Sequence, residues 1–592
     1  MFKLLLITFL LGYAASYKYV VFVPNLSNSQ VQFSVRVAES LANGGHDVTM
    51  LFMSHFVDFD SSDVKVPKGV KSYHLNEFVE GITKSDMDKE QGEMIFEDIS
   101  VFDKRNYQAM AKFKNMFVEG CRKIVKNKEF FEWLRAEKFD VALAHVAFHC
   151  PVGIIHHAGI PSWAWLNSGP MVDWIARAIG VPTVPSYVPP NMMESTDEMT
   201  FVERFKSFVG HGITGHVMDS FALSFTQLFR DELNDPSFPH ILDIAVKCPL
   251  VFVNTNELYD LPRPLLAKVV NIGGLGVGFD SAKPLAPEFQ KIVDSGKGTI
   301  VFSFGSIAPA HEMPSSWKTS ILEAFAEFPD YQFFMRYIKD DLKSRLPKNV
   351  HTFKWLPQKD LLLNNKTKAF ITHGGYNSLQ ESISAGVPMI TIALFADQPK
   401  NSKIAKKHGF AVNVVKSTLT KESIVEAINE IIRNPSYSQN AKRFSSMVRQ
   451  QPFKPSELLV RWSEFLAEFK SLDNLIPAGK MASGKLHLLK NVMNNVINIE
   501  RGNAWRASLG KISRKEYLHR YQVTFVRPDG STILVPAAEP RQTFQSAIDL
   551  KQLSEDDRRQ RLAARKPKAK AIKQEVIDDN FDESQYMQYW SK

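Results

Sequence analysis

Short apolar strands alternate with amphipathic helices over most of this sequence, and that alternation restricts the fold more than any other feature. Tyr19–Val23 is a β-branched run, Val31–Asn43 carries apolar residues at helical spacing, and Asp47–Phe52 is the next strand. Strand, helix and strand within about 35 residues form a βαβ unit, which implies a parallel sheet. Further buried strands are predicted at Phe139–Ala144 and Leu250–Asn254.

A second series of the same kind begins near Val269. Its predicted strands are Thr299–Phe304, Tyr331–Arg336, Val350–Lys354, Ala369–Thr372 and Met389–Leu394, with helices at Trp317–Phe325 and Asn377–Ala385. A chain of 592 residues is too long for one core. We therefore predict an α/β protein with two doubly wound, Rossmann-like domains, 17–268 and 269–476. Ligands of such domains bind at the carboxyl ends of the strands, here in the cleft between the domains.

The N-terminus has the pattern of a secretory signal peptide. Lys3 precedes the apolar run Leu4–Leu11, and small residues lead to a predicted cleavage near Ser16. The alternative is a hydrophobic strand or anchor, although the run is too short to span a bilayer. No later segment reaches 18 apolar residues, so we expect no transmembrane helix. The three cysteines exclude a disulfide scaffold and leave at least one unpaired within the chain.

The segment Ala369–Gln398 has the sequence pattern of an anion-binding strand–turn–helix. A strand stops at Thr372 and the chain passes through Gly374-Gly375, where the missing Cβ atoms let backbone N–H groups approach an anion closely. The following helix presents free N–H groups and the positive end of its dipole at the same place. Asn377 and Ser378 lie in its first turn, where short polar side chains cap a helix and reach phosphate.

Two further side chains suit a nucleotide in this segment. His373 offers a hydrogen-bond donor, and a cation if it is protonated. Glu381 lies four residues after Asn377, on the same helix face, where it can accept from ribose hydroxyls. A Gly-Gly after a strand is weak evidence alone, and each residue has an ordinary structural reading as a cap or a surface pair. The combination with Trp355-Leu356-Pro357-Gln358 upstream and Asp397-Gln398 downstream is far more specific.

With these motifs the sequence resembles the UDP-glycosyltransferase family, which includes the UDP-glucuronosyltransferases. The resemblance runs from Tyr17 to about Ala478, and Ala393 stands where the family usually has proline. Its other blocks are Asn271-Ile272-Gly273-Gly274-Leu275 and Phe302-Ser303-Phe304-Gly305-Ser306. The resemblance implies a GT-B fold and inverting transfer of a hexosyl or glucuronosyl group from a UDP-sugar to a small lipophilic acceptor. The UDP-sugar is a co-substrate, and neither a metal nor another cofactor is implied.

The family's donor-binding roles can be transferred to the matching positions. Trp355 would stack on the uracil, and Gln358 and Glu381 would hold the ribose. Asp397 and Gln398 would bind the sugar hydroxyls. The diphosphate would be surrounded by Ser306, His373, Gly374, Gly375, Asn377 and Ser378.

The catalytic residues depart from the family pattern. The family's general base is a histidine in a Ser-His-x-x-Phe context, and here Ser29-Gln30-Val31-Gln32-Phe33 places Gln30 at that position. His145 stands where the family's acidic partner usually falls, and Asp140 is a strand-end residue. Losing a general base slows hydroxyl activation by about 10²–10⁴-fold.

Three interpretations of this departure remain open. His145 serves as the base from the opposite wall, with an imidazole tuned near neutrality; or the acceptors are amines or thiols, which need less activation; or the protein binds sugar nucleotide without efficient turnover. A purely structural role for His145 is the plain alternative. Met and Phe residues that suit an apolar acceptor cleft, or an ordinary core, are Met192, Met193, Met199, Phe201, Phe205 and Phe208.

The pattern changes after Ile476. Residues 477–502 form a linker, in which the stretch from Met481 is basic, amphipathic and free of acids before Glu500, as in a mitochondrial transit peptide. Residues 503–592 predict a small basic α+β module with a hairpin, Tyr521–Val526 and Ser531–Val535, and a helix starting at Ser554. Residues 501–570 hold 16 Lys/Arg against 7 Asp/Glu, which equals the net charge of the whole chain, +9.

This module resembles mitochondrial large-subunit ribosomal protein fifty-five. The matching blocks include Asp529-Gly530-Ser531-Thr532-Ile533, Glu539-Pro540-Arg541 and Ile548-Asp549-Leu550. The resemblance implies contact with ribosomal RNA phosphates; a solvated basic surface is the alternative. Candidate contacts are Arg506, Arg514, Lys515, Arg520, Arg558, Arg559 and Arg561.

The two resemblances imply different compartments, the endoplasmic reticulum lumen or secretion for the first and the mitochondrion for the second. We therefore expect two neighbouring coding units joined in one sequence, and regard a bifunctional product as the weaker alternative. Two other functions compete with the transferase. The first part of the chain could bind sugar nucleotide as a pseudoenzyme, or the ribosomal module alone could be the biologically used product.

Overall fold

The computed structural model describes most of the chain up to residue 477 and three short stretches beyond it. The described residues are 16–24, 26, 28–54, 64–77, 79, 83, 92, 94–97, 103–146, 149–276, 283–305, 308–477, 521–526, 532–537 and 553–564. The chain divides into two units, 1–488 and 489–592.

The first unit begins with a seven-stranded, wholly parallel sheet. Its order is β3-β2-β1-β4-β5-β6-β7, which is doubly wound about β1 and β4. The central strands are buried along nearly their whole length, as expected for a sheet covered by helices on both faces. The strands are β1 Lys18–Pro24, β2 Asp47–Ser54, β3 Lys71–Asn76, β4 Val141–His145, β5 Ser162–Asn167, β6 Leu250–Val253 and β7 Val269–Asn271.

Helices cover both faces of this sheet. They are α1 Asn28–Asn43, α2 Lys104–Lys126, α3 Lys128–Ala136, α4 Cys150–Ala158, α5 Asp173–Ile179, α6 Phe201–Glu232 and α7 Ile241–Val246. The long helix α6 starts at a reciprocal cap, because Thr200 Oγ1 accepts from the Glu203 N–H and the Glu203 carboxylate accepts from the Thr200 N–H. A disulfide joins Cys121 to Cys150, and Cys248 is free and buried.

A six-stranded parallel sheet follows in the same unit, ordered β10-β9-β8-β11-β12-β13. Its strands are β8 Gly298–Ser303, β9 Tyr331–Arg336, β10 Val350–Phe353, β11 Thr367–Thr372, β12 Met389–Thr391 and β13 Ala411–Asn413. Its helices are α8 Pro287–Ser295, α9 Ser315–Ala326, α10 Gln358–Leu362, α11 Tyr376–Ala385, α12 Gln398–Lys407, α13 Lys421–Arg433 and α14 Pro435–Arg449.

The boundary between the two domains differs from the one predicted at residues 268/269. β7 pairs with β6 and therefore closes the first sheet, so the second sheet begins only at Gly298. A further helix, α15 Pro455–Phe469, returns to the first domain, where Leu459 and Leu466 are buried with the residues of β1 and α1. The return is a long-range contact that sequence periodicity does not show.

The second unit is described by three elements. β14 Tyr521–Val526 and β15 Thr532–Ala537 form an antiparallel pair, as predicted for the hairpin. Helix α16 is Glu555–Ala564, and Ser554 Oγ accepts from the Asp557 N–H at its start. Among the helices that the structure describes, none is long and apolar enough to cross a bilayer.

Candidate functional site

A cavity of about 930 Å³ lies at the carboxyl ends of both sheets in the first unit. It lies where the strand order of each sheet reverses, next to β1 and β4 in the first sheet and β8 and β11 in the second. Nine of the eleven predicted donor residues line it: Trp355, Gln358, His373, Gly375, Asn377, Ser378, Glu381, Asp397 and Gln398. Gly374 is not among the lining residues, and Ser306 falls outside the described residues.

The turn after β11 is built around glycine positions. Gly374 has φ +81°, and a Cβ there would lie 2.7 Å from Ser402 Oγ. A Cβ on Gly375 would lie 2.6 Å from His373 Nε2, and one on Gly305 would lie 2.9 Å from His373 Cε1. The two glycines therefore leave the space that the imidazole occupies, and they bring the backbone of both turns to the cavity.

His373 is a neutral group in this site. Its side chain is buried, and Nδ1 lies 3.3 Å from Thr372 Oγ1. Burial, with the nearby charge of Arg336, lowers the pKa of His373 to about 4. At neutral pH the ring therefore offers one N–H donor, and the cationic form considered from the sequence is absent.

The N-terminus of α11 faces the cavity with its backbone groups free. Gly375 is the N-cap residue, and no described side chain caps the helix. Asn377 and Ser378 therefore lie in the first turn without the capping role that their sequence position suggested. Asn377 Oδ1 is buried and has no hydrogen-bond partner among the residues described. Uncapped N–H groups and the positive helix end are the arrangement that binds a diphosphate.

Gln358 and Glu381 meet in the structure. Gln358 Nε2 donates to Glu381 Oε2 over 2.7 Å, which joins the start of α10 to the middle of α11. Burial raises the pKa of Glu381, while the Gln358 hydrogen bond and the charge of Arg36 act in the opposite direction. Two adjacent polar groups at one wall of the cavity can bind a vicinal diol such as ribose.

Trp355 offers a free ring face to the cavity. Its side chain is 65% exposed, and the Arg336 guanidinium lies 5.2 Å from the centre of its ring. Arg336 also donates to the Gly305 carbonyl oxygen. Because the cation lies against one side of the indole, a stacked base is expected on the other.

Asp397 and Gln398 also line the second domain's side of the cavity, where the donor residues lie. Gln398 Oε1 accepts from the backbone N–H groups of Leu394 and Phe395 at 3.0 and 3.1 Å. Its Nε2 group is therefore the part that can donate to a ligand. Asp397 Oδ2 accepts from Asn401 Nδ2 over 2.9 Å, which leaves its other oxygen for a hydroxyl group.

Gln30 and His145 line the first domain's side of the cavity. Gln30 lies in the first turn of α1, and its Oε1 has no partner in the described part of the chain. His145 ends β4, is buried and packs edge-on against Phe33 with ring centres 6.5 Å apart. Burial lowers the pKa of His145 to about 3, well below the near-neutral value that its role as the base would need, which was one of the three interpretations of the sequence.

The structure adds two cations that the sequence did not indicate. Arg36 reaches the cavity from α1 and faces Glu381 across the cleft. A Cβ on Gly276, which has φ +67°, would lie 2.7 Å from Arg36 Cγ and Cδ, so the arginine stem packs on that glycine. Arg336 is the last residue of β9, and its position at the carboxyl end of a strand was the available signal.

The apolar residues considered for the acceptor are only partly in the cleft. Met192 lines the cavity and is 75% exposed. Phe201, Phe205 and Phe208 lie on the outer face of α6 and are 62–84% exposed, so they belong neither to the cavity nor to the core.

In the second unit, two of the predicted RNA contacts are exposed. Arg558 and Arg559 lie on α16 with their side chains in solvent. Arg561 lies on the same helix, and its side chain falls outside the described set. The other four, Arg506, Arg514, Lys515 and Arg520, lie outside the described residues.

The chain matches two family models. Residues 20–491 match the model described as UDP-glucoronosyl and UDP-glucosyl transferase. Residues 483–592 match the model of mitochondrial ribosomal protein L55. The sequence resemblances are thus confirmed for both parts of the chain.

Similar proteins cover most of the first unit. Human UDP-glucuronosyltransferase 2B7 is 31% identical over 450 residues, covering 74% of this chain and 82% of that protein. UDP-glucuronosyltransferase 2B23 of Macaca fascicularis is 33% identical over 454 residues, covering 75% and 83%. Caenorhabditis elegans ugt-48 is 31% identical over 480 residues, covering 78% and 89%.

Solved structures support the fold. The glycotransferase of kitacinnamycin aligns with a TM-score of 0.52 at 17% identity, covering 78% of this chain and all of that one. Spinosyn forosaminyltransferase SpnP aligns with a TM-score of 0.50 at 14% identity, covering 76% and 100%. The predicted two-domain GT-B architecture is confirmed.

Proposed function

The chain belongs to the UDP-glucuronosyl and UDP-glucosyl transferase family, and from this we propose that its cleft binds a UDP-sugar and transfers the sugar with inversion to a small lipophilic acceptor. One observation supports this most: the uncapped N-terminus of α11 faces the cavity, next to the Gln358–Glu381 pair. Together these provide binding groups for a diphosphate and a ribose at adjacent positions.

The donor would lie along the second domain's wall. Its diphosphate would accept from the α11 N–H groups and from neutral His373, its ribose would bind Gln358 and Glu381, and its base would stack on Trp355. The sugar hydroxyls would reach Asp397 and the Gln398 amide. During transfer the acceptor atom forms a bond to the anomeric carbon as the bond from that carbon to the β-phosphate oxygen breaks. The negative charge that develops on UDP is stabilised by the positive end of α11.

This mechanism lacks a strong general base to remove the acceptor's proton. Gln30 has no useful basicity, and neutral His145 with a pKa of about 3 is a weak base. An amine attacks through its lone pair without prior deprotonation and loses its proton to water or to the leaving UDP after the new bond has formed. Amines therefore suit this site better than phenols. Turnover of amine acceptors would separate a working transferase from a protein that only binds sugar nucleotide.

Alanine in place of Trp355 is expected to weaken UDP binding about tenfold, because stacking of a base on an aromatic ring is worth about 1–3 kcal/mol and 1.4 kcal/mol is a factor of ten. Titration calorimetry with UDP, UDP-glucose and UDP-glucuronate measures the change and also shows which sugar is bound. Phe453→Ala is the matched control, since Phe453 is 62% exposed and lies outside the cavity. Absence of any uridine nucleotide binding by the wild-type chain would contradict the proposed function.

A second proposal concerns residues 483–592, which match mitochondrial ribosomal protein L55. We propose that this part is a separate ribosomal module whose coding unit has been joined to that of a transferase carrying a signal peptide. The exposed Arg558 and Arg559 suit contact with RNA phosphates. Long RNA reads that end between the codons of Lys480 and Met481 would support two products. Abundant continuous reads with a full-length protein band would refute the joining and favour a bifunctional chain.

A further inference from the structure

A loop of the first domain, residues 189–198, contributes to the side of the cavity opposite the donor residues. Asn191 and Met192 in this loop line the cavity. One hydrogen bond joins the loop to its own domain: the Asn191 N–H donates to Asp173 Oδ2 over 2.8 Å. Three of its other residues are acidic: Glu194, Asp197 and Glu198. We call this segment the acceptor-side loop.

Helix α12 of the second domain holds this loop through three lysines on one face. Lys400, Lys403 and Lys407 are spaced by three and four residues, which aligns them along the helix. We call them the lysine row. Buried Lys400 Nζ donates to Pro189 O and Asn191 Oδ1 at 3.4 and 3.2 Å.

The outer two lysines of the row bind the acidic part of the loop. Lys403 Nζ lies 3.2 Å from Glu194 Oε1. Lys407 pairs with Asp197, and its Nζ lies 3.2 Å from Glu198 Oε1. Every residue of the row therefore contacts the loop, and the contacts continue over about two turns of α12, roughly 10 Å.

The same helix begins at the donor-sugar end of the cavity. Gln398 is its first residue and Asp397 its N-cap, and both line the cavity. One rigid element thus has the sugar-contacting pair at its start and the loop-binding lysines along its length. A shift of α12 on donor binding would move the acceptor-side loop with it.

The lysine row is poorly explained as a source of stability. The Lys403–Glu194 pair is largely exposed, and exposed ion pairs contribute about 0–1 kcal/mol each. Burial lowers the pKa of Lys400. For Lys407, burial is outweighed by hydrogen bonds to Asp197 and Glu198, which raise its pKa. Charge pairs of this kind fix orientation and register between surfaces more than they add affinity.

We propose that the lysine row couples donor binding to the acceptor side of the cleft. Contact of the donor sugar with Asp397 and Gln398 positions α12, and Lys403 and Lys407 transmit that position to the acceptor-side loop, so that Asn191 and Met192 form an ordered wall for the acceptor. This inference rests on the proposed function. Lys403 and Lys407 are positioning residues, because they lie outside the cavity lining.

Hydrogen–deuterium exchange of the full-length chain tests the coupling without knowledge of the acceptor. Saturating UDP-glucose is expected to slow exchange of the amides of residues 191–198 about tenfold, within the usual range of coupling between two sites. UDP alone should protect the loop less, because it lacks the sugar. In the double variant Lys403→Glu/Lys407→Glu the protection should disappear while calorimetry still detects UDP-glucose binding.

Reversing the charges of both partners distinguishes a loss of coupling from damage to the fold. Adding Glu194→Lys, Asp197→Lys and Glu198→Lys to the double variant restores all three pairs with reversed sign, and the protection should return. Lys406→Glu is the matched control, since Lys406 is exposed on the same helix. Equal protection by UDP and UDP-glucose, or protection that survives in the double variant, would overturn the proposal. If the wild-type chain binds no uridine nucleotide, that result would instead contradict the proposed function on which the coupling rests.

Discussion

Valine in place of Gly375 is expected to weaken UDP-glucose binding by at least about 100-fold, or about 2.7 kcal/mol. The backbone of Gly375 has φ −59° and ψ 146°, which any residue adopts, so the variant introduces no backbone strain. The added Cβ would lie 2.6 Å from His373 Nε2. The imidazole has little free space around it, because a Cβ built on Gly305 would also lie 2.9 Å from His373 Cε1.

The collision must therefore displace the backbone at the start of α11 or the His373 ring. Either change removes N–H donors from the position where the diphosphate would lie, and overpacking of this kind costs about 1–3 kcal/mol. Calorimetry measures the dissociation constant, and the urea midpoint shows whether the fold is retained. Gly375→Ala should give a smaller loss of the same kind.

A matched control is available in α6. A Cβ on Gly212 would meet no atom within 4 Å, so Gly212→Ala should leave nucleotide binding unchanged. If Gly375→Val binds UDP-glucose within twofold of the wild-type chain, the diphosphate does not lie at this helix start, and the donor-binding assignment fails with it.

Most of the buried strands were predictable from their apolar sequences, although β5 Ser162–Asn167, which is just as buried, was not among the predicted strands. Tyr331–Arg336 was predicted with the bounds that the structure has, and Tyr19–Val23 to within one residue at each end. Parallel strands covered on both faces are continuous apolar runs. The edge strand β3, Lys71–Asn76, escaped notice because it is largely exposed and polar. The three residues of β7 are too few to show a period.

The candidate site likewise contains residues that were predictable from the sequence and residues that were not. Its donor wall was predictable because most of its residues fall within Trp355–Gln398, a local stretch with fixed spacing. Arg36 and the lysine row were not, since they act on residues far away in the chain. The charge state of His373 also depends on burial, which the sequence does not specify residue by residue.

Histidine in place of Gln30 is expected to raise kcat for phenolic acceptors about 100-fold, the lower end of what a general base contributes. Gln30 lines the cavity from the first turn of α1, and its Oε1 has no partner among the described residues, so an imidazole can replace the amide without breaking a hydrogen bond. The positive end of α1 and the nearby Arg36 both favour the neutral ring. A neutral imidazole is the form that accepts the acceptor's proton.

The pH profile distinguishes the new base from His145. The added histidine acts only when unprotonated, so the activity it brings should appear as the pH rises through its pKa, at or below the usual value of about 6.5. In the wild-type chain the pKa of His145 is about 3, so its protonation state is constant from pH 5 to pH 8 and gives no such limb. If His145 is nevertheless the working base, His145→Ala lowers wild-type kcat; if it is structural, kcat is unchanged.

The neighbouring position supplies the control for this experiment. Gln32 also lines the cavity but lies two residues further along α1, on a different face of the helix. Gln32→His therefore adds an imidazole at the wrong place and should leave kcat near the wild-type value. Adding His145→Asp to Gln30→His places a carboxylate where the family has its acidic partner, and should raise kcat further. An equal gain from both single variants, or no gain from Gln30→His while UDP-glucose still binds, would show that the acceptor's reacting atom does not approach this turn of α1.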